Sequence, residues 1–258
     1  MSLTNLTVKS FIDEVAAGSP TPGGGSVSAL AAALAAALVR MVGSLTLRKL
    51  AAGGSAQTQT ATPAPAPAPP LAPASASASA SPRSAHEVAA EAAHEGGAAR
   101  KPDVEADMTM AVEIAGDLRR HFEKLVDEDA AAFEAVMAAY RLPKSTDEEK
   151  KSRGAAIQEA LKEACRVPSQ VAKGAVEVMR LAGLAVREGA QSALSDAAVA
   201  CLAADAALHG AYLNVLINLG SIKDQAFVAA MREEMAKALK SGETIRDEVM
   251  ARVREALE

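Results

Sequence analysis

The sequence predicts an all-α fold, a helical bundle with long central helices and one disordered Ala/Pro/Ser-rich insertion. Three observations lead there. Half of the 258 residues are hydrophobic but only 2% are aromatic. The core must therefore be built from Ala, Leu, Val, Ile and Met, which suits helices that approach closely. Apolar residues recur at helical spacing, and no stretch alternates with period two. Between residues 51 and 100 the composition changes abruptly to Ala, Pro, Ser, Gly and Thr. The expected organisation is one helical domain made of residues 1–50 and 101–258, with 51–100 as a low-complexity insertion.

Taken in order, Thr7 is placed to cap a first helix whose Val8, Phe11, Ile12 and Val15 recur at i, i+3, i+4 and i+7, ending at Gly18. Ser19-Pro20-Thr21-Pro22-Gly23-Gly24-Gly25-Ser26 interrupts regular structure. It opens a second helix, from about Val27 to Leu47, that is apolar almost all round and so reads as a central buried helix. In the insertion, prolines at 63, 65, 67, 69 and 70 and an Ala-Ser alternation leave too little apolar surface to offset ordering entropy. A weak helix near His86 to His94 is the one element expected there.

Pro102 suits the first position of a long helix to Tyr140, because its missing N–H costs nothing there. Leu142-Pro143 ends that helix. Ser145 with Glu148 forms a capping-box pattern for the next, expected to stop near Arg166, and Pro168 then starts another to about Arg187. Ser195 is placed to cap an apolar helix from Asp196 to about Asn218. Gly220 and Gly242 separate two last helices, Lys223 to Leu239 and one carrying Ile245, Val249, Val253 and Leu257.

A formal net charge of −5 argues against a general nucleic-acid binder, which needs a basic surface. The longest uncharged apolar run, Ser26 to Val39, is short for a membrane span, so no membrane partner is expected. The start of the chain carries no basic segment leading into an apolar one, as a signal peptide would. Cys165 and Cys201 lack the spacing of a zinc site or a disulfide framework, which fits a reducing compartment.

Several residues could carry chemistry. Pro22, Gly23, Gly24, Gly25 and Ser26 lie directly before a helix, whose unpaired N–H groups could receive a carboxylate or phosphate. A tight corner between touching helices would need the same glycines. Asp129 falls on the apolar stripe of the long helix, four residues after Leu125 and four before Phe133, so its carboxylate must be paired, shifted in pKa or facing a wet cavity. Asp196, beside Ser195, could simply complement a helix dipole. Gly210, Asn214 and Asn218 share one face, where the two amides would make either interhelical hydrogen bonds or ligand contacts. Asp205 and His209, at i and i+4, read as a structural or exposed pair. Arg40, Arg48, Lys49 and Lys144 could bind an anionic tail or simply be solvated.

The Ser19 to Ser26 corner with its Ala-rich helix, the Asp127-Glu128-Asp129-Ala130-Ala131-Ala132-Phe133 segment, and Ser195-Asp196 through Gly210 to Asn218 together resemble the formiminotransferase-cyclodeaminase family. More narrowly, they are similar to its cyclodeaminase/cyclohydrolase domain standing alone. The resemblance implies a cytoplasmic, all-helical homodimer whose substrate is a one-carbon tetrahydrofolate, with no metal or redox cofactor. It also implies that Asp129 and Asp196 are the acid/base pair. Pro22, Gly23, Gly24, Gly25, Ser26, Lys144, Ser195, Asn214 and Asn218 would bind or position the substrate. The activity implied first is the cyclodeaminase reaction, 5-formimino-tetrahydrofolate to 5,10-methenyl-tetrahydrofolate and ammonia. The alternative is the cyclohydrolase reaction, in which water opens the methenyl form to 10-formyl-tetrahydrofolate. From a different class, a non-catalytic folate-binding or scaffolding dimer would carry the same corner. The family continues after Leu45-Thr46-Leu47 with a Gly-Lys-Lys-Lys-Tyr-like stretch, whereas this chain reads Arg48-Lys49-Leu50.

Overall fold

The computed structural model describes residues 2–55 and 103–258. They form six α-helices: α1 (Val8–Ala16), α2 (Gly24–Ser55), α3 (Val104–Arg141), α4 (Asp147–Glu188), α5 (Leu194–Leu219) and α6 (Gln225–Leu257). Beyond its first five residues the expected insertion lies outside the described residues, as do Pro102, His86 and His94. Among the described residues there is no strand, as the missing period-two pattern predicts.

α2 packs on α3 and α5, α4 crosses α5 and α3, and α6 lies on α4 and α5. α2 and α3 run antiparallel: Gly25 faces Asp129 at one end and Gly43 faces Met108 and Val112 at the other. Gly24 faces Asn214 and Gly210 faces Ser28, so α5 is antiparallel to α2 as well. α2 and the α5 segment are apolar over a length that could cross a membrane. Here the buried faces of α2, Ala29, Ala32, Ala35, Ala36 and Val39, form the middle of the bundle instead. Such alanines permit the short interaxial distance, and Phe122, Met108, Leu125, Met179 and Leu208 fill the wider spaces.

Several boundaries differ from those the sequence predicts. α1 starts where expected, with Thr7 Oγ1 accepting from the Ser10 N–H, and Gly18 follows at φ +75°. α2 begins at Gly24, three residues before Val27, so two corner glycines belong to its first turn. The capping box before α4 is Thr146 with Glu149, not Ser145 with Glu148. The Thr146 hydroxyl accepts from Glu149 N–H, and the Glu149 carboxylate accepts from Thr146 N–H. Ser195 does not cap α5: the helix starts at Leu194, out of a short 3-10 turn at Gln191–Ala193, and its N-cap Ala193 offers no side-chain bond.

Two predicted helix breaks do not occur. Pro168 lies inside the continuous α4, because the carbonyl its missing N–H would have satisfied, that of Ala164, accepts from Asn218 Nδ2 at 2.8 Å. The sequence holds both residues fifty positions apart and shows nothing of the bond. Gly242 likewise lies inside α6: a Cβ there would collide with Leu208 Cδ2, so it is a close-approach glycine rather than a terminator. Asn218→Ala is expected to lower stability by about 1–3 kcal/mol, the cost of an orphaned part-buried carbonyl. Urea unfolding would read this as a lower midpoint at unchanged slope; an unchanged midpoint would mean that water replaces the amide.

Candidate active site at the glycine corner

The corner before α2 is a place where three helices meet through small residues. Thr21-Pro22 is a cis peptide and Pro22 is buried. A Cβ on Gly25 would stand 2.5 Å from Asp129 Cγ, and one on Gly24 would stand 3.2 Å from Asn214 Nδ2. The glycines therefore let α3 and α5 bring a carboxylate and an amide against the first turn of α2.

Asp129 is fastened to that turn. Ser26 Oγ, fully buried, donates to Asp129 Oδ2 at 2.9 Å and also lies 3.2 Å from the Val126 carbonyl. Burial raises the Asp129 pKa above the ordinary carboxylate range, and the hydroxyl and backbone N–H of Ser26 pull back against it more weakly. Asp129 as a whole residue is half-buried. Asn214 donates its Nδ2 to the Gly210 carbonyl at 2.8 Å, which turns the amide toward Gly24.

A cavity of about 380 Å³ adjoins the corner, lined by Pro22, Asp127, Ala130, Glu14, Ser2 and Leu3. Its size is that of a small-molecule site. Asp127, which sequence reasoning passed over, ties the start of the chain to this wall: Oδ2 accepts from Ser2 Oγ and Oδ1 from Leu3 N–H, both at 2.6 Å. Its one sequence signal is proximity to Asp129.

The other candidates lie elsewhere. Asp196 is in the first turn of α5, where Ala193 and Ala197 cluster with Val42. Val42 is sixteen residues along α2 from Ser26, about 24 Å. Within one protomer Asp129 thus lies at the start of α2 and Asp196 beside its middle, and Asp196 complements the α5 dipole. Exposed Ser195 accompanies it. Lys144 is exposed in the turn after α3, whose last residue, Arg141, is about 18 Å from Asp129 along the helix axis. The Asn218 amide is spent on Ala164. The structure therefore gathers Pro22, Gly23, Gly24, Gly25, Ser26, Asp129 and Asn214 and separates Asp196, Ser195 and Lys144 from them, while Asn218, one turn along α5 from Asn214, commits its Nδ2 to Ala164.

Asp205 makes the predicted pair with His209, whose Nδ1 lies 3.4 Å from Asp205 Oδ1, and Arg246 of α6 joins it at 3.5 Å. Both cysteines are buried, and burial pushes each thiol up to about 11, which suits core packing rather than nucleophilic work.

A model of the formiminotransferase-cyclodeaminase family matches residues 7–64 and 57–237. The chain is 33% identical over 250 residues to a methenyltetrahydrofolate cyclohydrolase of Methylorubrum extorquens, across 97% of each chain. It is 31% identical over 243 residues to the formimidoyltransferase-cyclodeaminase of Rattus norvegicus, and the match takes in only 36% of that protein's length. A solved structure of formiminotetrahydrofolate cyclodeaminase from Thermotoga maritima is similar with a TM-score of 0.70 and 26% identity, over 99% of this chain and 100% of that one.

Proposed function

This chain belongs to the formiminotransferase-cyclodeaminase family, and from that premise we propose that it is an enzyme of folate one-carbon metabolism that hydrolyses 5,10-methenyl-tetrahydrofolate to 10-formyl-tetrahydrofolate. The observation that carries the reading is that Asp129 is the carboxyl held against the first turn of α2 with its pKa raised, while Asp127 beside it is engaged by Ser2 and Leu3 and the other expected acid, Asp196, lies about 24 Å away. Hydrolysis needs one base to activate water. Release of ammonia needs one group to take the N10 proton and another to protonate the leaving nitrogen. The full-length similarity to a cyclohydrolase supports the same choice.

In this reaction the methenyl cation lies against the Asp129 carboxylate, and the free N–H groups of the first turn of α2 hold polar atoms of the pterin. Asp129 takes a proton from water as its oxygen bonds to the bridging carbon. The same carboxyl then returns that proton to N5 as the carbon–N5 bond breaks. The proton of the intermediate's hydroxyl passes to solvent, leaving the formyl group on N10. Asn214, through its Oδ1, orients the substrate. No metal or redox cofactor has a role in these steps. The cyclodeaminase reaction is the second reading, favoured by the likeness to the Thermotoga maritima enzyme over the whole of both chains.

An absorbance assay with 5,10-methenyl-tetrahydrofolate and, separately, 5-formimino-tetrahydrofolate tests the choice. Loss of the methenyl chromophore faster than in buffer is the expected result. Appearance of that chromophore from the formimino substrate, without accelerated loss, would select the cyclodeaminase, and binding without either change would select a non-catalytic protein.

The working form in this proposal is a cytoplasmic homodimer. Leu34 is 58% exposed on α2, and Leu213 and Ile217 are 63% and 77% exposed on the neighbouring α5. Val27 and Met41, seven residues to either side of Leu34, and Val199 with Leu202 extend the same two stripes. Apolar surface of this kind calls for a partner, and a second copy offers a self-complementary one. Light scattering at micromolar concentration is expected to give twice the 26.3 kDa chain mass, and Leu213→Glu with Ile217→Glu to give monomer.

A further inference from the structure

We infer that Asp127 is a positioning residue for the reaction at the glycine corner: its carboxylate straps the segment Ser2–Leu6 onto α3 and so builds one wall of the cavity beside the corner. This role rests on the function proposed above, with part of the substrate lying in that cavity. Separate stretches of chain line it: Ser2 and Leu3, Glu14 of α1, Pro22 of the corner, and Asp127 and Ala130 of α3. The last two stretches are anchored by packing, because Pro22 is buried and Leu125 and Val126, just before Asp127, are fully so. The first two are not.

Ser2 and Leu3 are half-buried, Thr4 and Asn5 are exposed, and the 3-10 turn Leu3–Asn5 holds no buried residue. Of α1, Phe11 alone is buried, and Val8 and Ile12 are 79% and 59% exposed. Chain packed this lightly opens at small cost. Leu3 and Leu6 add partial packing against the core, but the directional tie is polar. Ser2 Oγ donates to Asp127 Oδ2 and Leu3 N–H to Asp127 Oδ1, each at 2.6 Å, from 125 and 124 positions away in sequence. Hydrogen bonds to a carboxylate are stronger than neutral ones, and engaging both oxygens fixes direction as well as distance.

Because both oxygens are committed, Asp127 acts on the substrate through the strap rather than by moving a proton. Asp129, two residues on, does not share its face of α3 and keeps the proton chemistry. The strap reaches further than its own residues. Leu6 leads directly into Thr7, the cap of α1, so fastening Ser2 and Leu3 also sets where α1 begins and where Glu14, two turns on, meets the cavity. A wall already in place costs the substrate no ordering energy on binding. Its loss weakens ground state and transition state alike, which raises KM and leaves kcat.

Asp127→Ala in the full chain tests this by two measurements. Amide exchange at Leu3 and Leu6 without substrate should be faster in the variant by about tenfold or more. KM, for whichever of 5,10-methenyl- and 5-formimino-tetrahydrofolate turns over, should rise by about tenfold or more with kcat within about threefold of the parent. Asp127→Asn, whose Oδ1 still accepts from Leu3 N–H, should recover most of the KM. Ser2→Ala should move KM in the same direction by about threefold, and it carries the test if Asp127→Ala does not fold. Glu128→Gln, at the exposed position between the two acids, should match the parent. A fall in kcat at unchanged KM would place Asp127 in the chemistry and overturn the positioning role. Faster exchange with unchanged KM, or exchange unchanged by Asp127→Ala, would overturn it too. If the parent turns over neither substrate, the function proposed above fails by itself, and the tenfold weakening is then read from the calorimetric Kd of tetrahydrofolate. Equal Kd in parent and Asp127→Ala, or no binding by the parent, would overturn the positioning role as well.

Discussion

Asp129→Asn is expected to lower kcat by about 100-fold or more while leaving thermal unfolding little changed. The amide keeps the shape of the carboxyl, and its Oδ1 still accepts from Ser26, so the corner stays closed. What disappears is the group that moves the proton. The pH profile provides a second reading. Because burial raises the Asp129 pKa, the carboxylate needed as base forms only above the usual carboxylate range. Activity of the parent should therefore rise with pH along a limb displaced upward from that range, and the limb should be absent from whatever activity remains in the variant. A variant that turns over normally would make the carboxyl an architectural cap on α2. A variant that fails to fold would do the same.

Gly25→Ala is expected to cost on the order of 100-fold in kcat without altering any titratable group. The added Cβ would lie 2.5 Å from Asp129 Cγ and 2.0 Å from its Oδ1, so the carboxyl must move by about an ångström or more. Displacement of that size at a reacting group costs about this factor. The collision is with a carboxylate on a helix whose Leu125 and Val126 are fully buried, so α3 has little freedom to withdraw. Stability should fall too, which separates the two variants: Asp129→Asn changes rate alone, Gly25→Ala changes rate and melting temperature together. Circular dichroism melts alongside the absorbance assay would record both. Full activity in Gly25→Ala would show that the close approach of α2 and α3 is not needed for catalysis.

The sequence by itself determined the helical class, the Ala-built core, and the cap at Thr7, because each depends on residues within one or two turns of one another. Helical period alone also singled out Asp129, since a carboxylate on an apolar stripe conflicts with burial whatever lies opposite. Tertiary structure alone decided what lies opposite. Ser26 is 103 positions away, and the raised pKa follows from three helices meeting there rather than from any local pattern. The same distinction accounts for the boundaries that moved. Pro168 and Gly242 carry the local marks of helix ends, but Asn218 supplies the missing donor's counterpart to Ala164, and Leu208 occupies the space a side chain at 242 would need. Asp196 and Asp129 resemble a catalytic pair when read along the chain. They are parted because α2 runs antiparallel to both α3 and α5 and sets Asp129 at its start and Asp196 beside its middle. Spacing in sequence becomes distance in space only along a single helix; between helices, the direction of packing decides it.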